Sequence, residues 1–163
     1  MRPNKPIRRT ASADRRKNVL SDQQHTRTVF KRSVTPRALR EIYLRGFEIA
    51  VKEGKPWTVM SSYNRVNGKH VCNTRELLTE ILRNEWGFDG LVMSDWNATE
   101  QCSRAEAINA GNDLIMPGTK KVTKALLEDL ASGNLNRAAL DVSAGRVLEL
   151  IFRSKTCKDF QRE

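Results

Sequence analysis

The sequence has few of the residues that build disulfide frameworks and metal centres: three cysteines and two histidines in 163 residues. Cys72, Cys102 and Cys157 are too few and too widely spaced for a disulfide framework, and with His25 and His70 they match no Cys/His metal pattern. We therefore expect free thiols, no metal or other cofactor, and a reducing compartment. We expect both histidines to lie at the surface.

Long hydrophobic runs are also absent. No apolar run approaches the ~20 residues that a membrane helix needs. The basic residues 1–10 lead into no apolar segment, which argues against a signal peptide. We therefore expect a cytoplasmic protein without a membrane partner, whose 39% hydrophobic residues suffice for one core.

The positive charge, a formal +10, is confined to one part of the chain. Residues 1–40 contain twelve basic and two acidic residues, whereas residues 41–163 contain 17 of each. Residues 1–33 show no sustained periodicity, which is typical of a disordered arm. Such an arm could bind phosphates nonspecifically, but Phe30 is its only aromatic residue for base stacking. We expect no specific nucleic-acid partner, and keep a nucleic-acid-binding arm as an alternative function.

From Thr35 onward, helical and strand patterns alternate. The predicted order is a helix capped by Thr35 and ending at Gly54, a strand at 57–63, a helix capped by Asn73, a strand at 90–94, a helix from Thr99 to Gly111, a strand at 113–116, and two final helices through 122–130 and 140–151. An Asn67-Gly68 turn lies in the loop at 64–72. Alternating helices and strands predict an α/β fold with a parallel sheet.

Three strands are few for this class, because an α/β barrel needs eight βα units. We therefore predict a partial (β/α)8 TIM-type barrel, comprising about the last three strands with their helices, over residues 34–155. Residues 156–163 are predicted to form a tail. The open sheet edges would permit self-association.

The predicted carboxyl ends of the strands carry the candidate site, since parallel α/β folds place function there. Asp95 follows a buried strand and precedes Trp96. An indole can pack on the C–H face of a sugar while a carboxylate attacks the anomeric carbon. The alternative is that Asp95 caps a turn and Trp96 belongs to the core.

Residues 85–96, EWGFDGLVMSDW, resemble the nucleophile segment of glycoside hydrolase family 3, the β-glucosidase and β-xylosidase family. Segments 37–44, 59–68 and 110–118 extend the resemblance to about residues 37–152. It implies a barrel enzyme of carbohydrate catabolism that hydrolyses terminal β-glycosidic bonds with retention. The implied partner is a small β-glycoside or an oligosaccharide.

The resemblance also implies roles for individual residues. Asp95 falls on the catalytic nucleophile, Trp96 on the aromatic residue flanking the sugar, and Tyr63 on a tyrosine near the nucleophile. Counting back from Arg37 without gaps, Arg27 falls on a sugar-binding arginine. Asn97 stands where the family usually has glycine, and Arg16-Lys17 falls on its Lys-His pair.

Two parts that the resemblance implies are not found in this sequence. They are the earlier barrel strands, with further sugar contacts, and a general acid/base glutamate from a second domain. Retention requires a second carboxylate about 5–5.5 Å from the nucleophile. Asp89 precedes the strand and Glu100 is predicted to open a helix, so neither fits. We expect this chain alone to be inactive or nearly so, and a catalytically dead fragment is a further alternative.

Overall fold

The computed structural model describes residues 31–154. Arg27, nearly all of the predicted arm and the whole predicted tail lie outside the described residues. The elements in chain order are β1 (Lys31–Arg32), α1 (Pro36–Ala38), a π-helical segment (Leu39–Tyr43), α2 (Arg45–Gly54), β2 (Thr58–Ser61), β3 (Arg65–Val66), β4 (Lys69–His70), a 3₁₀ turn (Val71–Asn73), a second π-helical segment (Glu76–Glu85), β5 (Leu91–Ser94), α3 (Arg104–Ala110), α4 (Lys120–Ala131) and α5 (Arg137–Arg153). The described residues thus form an α/β structure.

The central sheet is parallel, as the alternation predicts. Strands β2 and β5 pair in register from Thr58–Leu91 to Ser61–Ser94. The third predicted strand is reduced to a single parallel bridge between Leu114 and Met93. A cis peptide precedes Pro117.

Two local sequence signals, a helix cap and a turn, correctly predict the structure. The Thr35 hydroxyl accepts the Ala38 N–H at 3.3 Å and caps α1. Asn67 and Gly68 have φ values of 50° and 86° and join β3 to β4, whose strands are antiparallel. Positive φ at both positions is the geometry of a two-residue hairpin turn.

Two predicted helix starts are wrong. The helix after β5 begins at Arg104 rather than Thr99, because Ser103 is its cap and accepts the Glu106 N–H at 3.1 Å. Asn73 caps no helix. Its Nδ2 donates instead to the Ser103 carbonyl at 3.2 Å and to Glu106 at 3.0 Å, which ties the 3₁₀ turn to the start of α3.

The core lies where the helices cover the sheet. Leu91 and Val92 of β5 are almost completely buried, as is Ile81 of the second π-helical segment. Trp86, at the end of that segment, packs against two of the buried clusters. Among the described residues, no helix has the length and apolar character to cross a membrane.

Candidate active site

Backbone hydrogen bonds hold the carboxyl ends of three adjacent segments together. The Asp95 N–H donates to the Ser61 carbonyl at 3.0 Å, which joins the ends of β5 and β2. The Asn97 N–H donates to the Met116 carbonyl at 2.9 Å, which joins the end of β5 to the bridged segment. The strand-end residues that the sequence singles out therefore meet at one edge of the sheet.

The surroundings of Asp95 fit both interpretations of its position, a residue that caps a turn and a carboxylate available to a substrate. Its Oδ1 accepts the N–H of Trp96 at 2.6 Å, and its carbonyl accepts the N–H of Ala98 at 3.1 Å. The side chain therefore caps the turn that follows β5. It is nevertheless half-buried rather than enclosed, so a capped carboxylate lies at the open edge of the sheet.

Trp96 is not a core residue, because it is 59% exposed. The turn that presents it includes Asn97 with a φ of 61°. Asparagine adopts this left-handed conformation more readily than most residues. An exposed indole beside a carboxylate provides an apolar face next to a charged group.

Tyr63 is half-buried in the loop after β2. His70 lies within hydrogen-bond distance on both sides: its Nδ1 is 3.0 Å from the Tyr63 carbonyl, and its Nε2 accepts from Arg65 Nε at 3.0 Å. This pair of contacts assigns the proton to Nδ1. The expected surface position of His70 is wrong, since β4 buries it, and its ring helps to position the loop that carries Tyr63.

Asn112 is a structural residue that sequence reasoning missed. It is completely buried. Its Oδ1 accepts from the Ser61 hydroxyl at 2.9 Å and its Nδ2 donates to the Cys72 carbonyl at 2.5 Å. One amide thus links the end of β2 to the 3₁₀ turn. No short motif signals this role, because the three residues are far apart in the sequence.

The two acidic residues nearest to Asp95 in sequence have different surroundings. Asp89 precedes β5 and is exposed, with Arg153 at 3.8 Å. Six extended residues would separate it from Asp95 by about 20 Å. Glu100 is exposed in the turn after β5 and does not open a helix. Within residues 31–154, no three His, Cys, Asp or Glu side chains form a group that could hold a metal ion.

Comparison with known proteins identifies the family. A family model described as the glycosyl hydrolase family 3 N terminal domain matches residues 19–150. The chain belongs to glycosyl hydrolase family 3. The family-3 match confirms the resemblance drawn from residues 85–96. The matched range, residues 19–150, also contains Arg27.

The relatives and solved structures that resemble this chain include beta-glucosidases, in agreement with the family match. The chain is 48% identical to probable beta-glucosidase J of Emericella nidulans over 134 residues, which are 82% of this chain and 16% of that protein. It is 43% identical, with a TM-score of 0.78, to beta-glucosidase 3B of Thermotoga neapolitana in complex with glucose, covering 85% of this chain and 20% of that one. It is 37% identical, with a TM-score of 0.75, to the beta-glucosidase of Kluyveromyces marxianus in complex with glucose, covering 82% of this chain and 16% of that one. The chain therefore spans less than a quarter of these family-3 relatives.

Proposed function

We propose that this chain carries the nucleophile of a family-3 β-glucosidase-like hydrolase, and that the nucleophile is Asp95. The position of Asp95 carries the proposal: a half-buried carboxylate directly after β5, where three segment ends meet. Residues 34–155 would then form part of a (β/α)8 barrel, whose functional groups lie at this end of the strands.

The proposed reaction is retaining hydrolysis of a terminal β-glycosidic bond. Asp95 attacks the anomeric carbon, the glycosidic bond breaks, and the leaving oxygen takes a proton from a general acid. Water then hydrolyses the glycosyl ester. The hydrogen bond from the Trp96 N–H to Oδ1 would hold the carboxylate in place before attack.

The flanking residues have proposed roles in sugar binding. The exposed indole of Trp96 would pack on the C–H face of the sugar, and Tyr63 would orient the carboxylate or a hydroxyl. Arg27, outside the described residues, would bind a sugar hydroxyl. The glucose complexes of the two related beta-glucosidases support a β-glucoside as the substrate.

We further propose that the chain alone has little or no activity. In a retaining enzyme, the general acid must lie beside the leaving oxygen, with its carboxyl group about 5–5.5 Å from that of the nucleophile. Glu100 is exposed and Asp89 lies at the opposite end of β5. Neither is suited to protonate a leaving group at Asp95, so the acid would come from elsewhere in a complete enzyme.

A chimera tests the nucleophile. Residues 19–150 replace the matching segment of the Emericella nidulans beta-glucosidase J, and turnover of an aryl β-glucoside is measured. We expect an active chimera in which Asp95→Asn lowers kcat on the order of 10⁴-fold, the scale of losing a central catalytic group. Asp89→Asn, two residues before β5, is the matched control and should leave kcat nearly unchanged.

Two outcomes would count against the nucleophile proposal, and a third against the proposed inactivity of the chain alone. Full activity of the Asp95→Asn chimera would exclude this residue as the nucleophile. An inactive chimera with native-like circular dichroism that still binds glucose would indicate a catalytically dead segment. Turnover by the unfused chain, abolished by Asp95→Ala, would overturn the proposed inactivity.

A further inference from the structure

Cys72 and Cys102, separated by 30 positions in the sequence, meet in the fold. Cys72 lies in the 3₁₀ turn and Cys102 in the loop between β5 and α3, and their sulfur atoms are 3.2 Å apart. Both are free thiols. A disulfide has its sulfurs about 2.05 Å apart, so the pair needs a movement of only about 1 Å to close.

The two thiols share their hydrogen-bond partners. The Asn73 Oδ1 lies 3.4 Å from Cys72 Sγ and 3.1 Å from Cys102 Sγ. The Ala98 carbonyl lies 3.9 Å and 3.7 Å from the same two atoms. Asn73 also anchors the start of α3, so the groups that hold the two sulfurs together belong to the framework of the fold.

The two thiols differ in exposure. Cys72 is 0% exposed, whereas Cys102 is half-buried and lines a cavity of about 580 Å³. A hydrogen bond between the two thiols lowers the pKa of Cys102 and, together with burial, raises the pKa of Cys72. Cys102 is therefore both the sulfur that an external disulfide can reach and the thiol that ionises more readily.

The cavity beside Cys102 is predominantly cationic. Arg65, Lys69 and Arg75 line it, against a single acidic residue, Glu106. Arg75 also pairs with Glu80, outside the cavity, at 3.1 Å, so the excess charge rests mainly on Arg65 and Lys69. A cleft lined by one sign of charge raises the local concentration of oppositely charged ligands.

We propose that Cys102 and Cys72 form a thiol–disulfide exchange site that reacts with small anionic disulfides of the oxidised glutathione class. In this site Cys102 is the attacking thiol and Cys72 the resolving thiol. The proposal rests on the geometry of the pair and its cavity and is independent of the glycosidase activity.

The exchange balances in two steps. The Cys102 thiolate attacks one sulfur of the small disulfide, whose S–S bond breaks and releases one thiolate, leaving a mixed disulfide on Cys102. Cys72 then gives up its proton and attacks Cys102 Sγ, which expels the second thiolate. One protein disulfide has formed, and the small disulfide has been reduced to two thiols that carry both protein protons.

The new bond would join the 3₁₀ turn to the loop that follows Asp95 and Trp96. A disulfide at Cys102 would hold this loop at a point six residues after Trp96. The redox state of the pair would thus alter the freedom of the turn beside the candidate active site.

Mass spectrometry of the full chain tests the proposal. The chain in a Cys157→Ser background is treated with oxidised glutathione at pH 8 and its remaining thiols are alkylated. We expect a product lighter by two hydrogen atoms, without bound glutathione, and a peptide linking Cys72 to Cys102. Cys72→Ser should instead accumulate one glutathione on Cys102, and Cys102→Ser should form neither product.

Further measurements keep the test decisive. Cys72→Ala provides a second variant if serine disturbs the buried position, and circular dichroism confirms that each variant folds. At low salt, oxidised glutathione should outpace cationic cystamine by about tenfold, and 0.5 M salt should reduce the difference. Absence of the Cys72–Cys102 link, or equal glutathione on Cys102 with and without Cys72, would overturn the exchange site. Equal rates for the two disulfides would overturn its preference for anions.

Discussion

Replacing Asp113 with asparagine should destabilise the fold more than the loss of any exposed ion pair. Asp113 follows α3, and its side chain is fully buried. Its Oδ2 accepts from Arg83 at 2.6 Å and from the Val92 N–H at 2.8 Å, and its Oδ1 accepts from Arg146 at 2.9 Å. One carboxylate therefore joins β5 to the second π-helical segment and to α5.

The size of the effect follows from what the substitution leaves behind. The asparagine oxygen can still accept from Val92 and Arg83, but its NH₂ group then turns its donors towards the Arg146 guanidinium, and Arg83 loses the negative charge beside it. The Arg83 side chain is only 7% exposed, and burial already lowers its pKa. Breaking one side of a buried ion pair costs about 3–5 kcal/mol. This cost is a large part of the free energy of unfolding of a typical domain, which is about 5–15 kcal/mol.

Urea unfolding followed by circular dichroism measures the difference. Asp141→Asn is the matched control, because Asp141 pairs with Arg137 at 2.9 Å on the surface of α5, with side chains 59% and 73% exposed. Exposed helix pairs of this kind contribute about 0.3–0.5 kcal/mol. If Asp113→Asn costs no more than the control, the buried carboxylate does not join these elements energetically, and the reasoning fails.

Three further predictions concern packing, pH and association. Gly90→Ala should cost about 1–3 kcal/mol in urea unfolding, because its Cβ would overlap the backbone carbonyl oxygen of Trp57 and lie 2.8 Å from a ring carbon of Phe88. Gly46→Ala meets no atom within 4 Å and should be neutral or stabilising. Arg40 lowers the pKa of Glu85 below its ordinary 4.5, so the stabilisation from this ion pair is present above pH 4.5 and is lost as the pH falls through the lowered pKa of the folded state. In thermal melts, Glu85→Gln should therefore lose less melting temperature on acidification than the unmodified chain. An unchanged pH profile would contradict this. Leu148 is 53% exposed on an apolar face of α5, so Leu148→Glu should reduce self-association in sedimentation velocity, and an unchanged size distribution would exclude this face.

Local signals allowed much of the fold to be predicted. The Thr35 cap and the Asn67-Gly68 turn depend on residues within three positions of each other, so their chemistry is legible in sequence. The predicted helix start at Thr99 failed because Ser103, another good cap, lies four residues later. The predicted Asn73 cap failed because Asn73 bonds across the fold to α3, and a pattern within one segment cannot show such a competitor.

The same distinction separates the parts of the candidate site. Asp95 could be singled out because one general rule, function at the carboxyl ends of parallel strands, applies to each strand separately. The Cys72–Cys102 pair could not, because its proximity depends on how the hairpin and 3₁₀ turn return beside the loop after β5. Cysteine spacing led us to expect free thiols, which Cys72 and Cys102 are, but it could not show that shared contacts with Asn73 bring the two together. A candidate residue at a strand end can therefore be singled out from this sequence, whereas a candidate pair such as Cys72 and Cys102 required the tertiary structure.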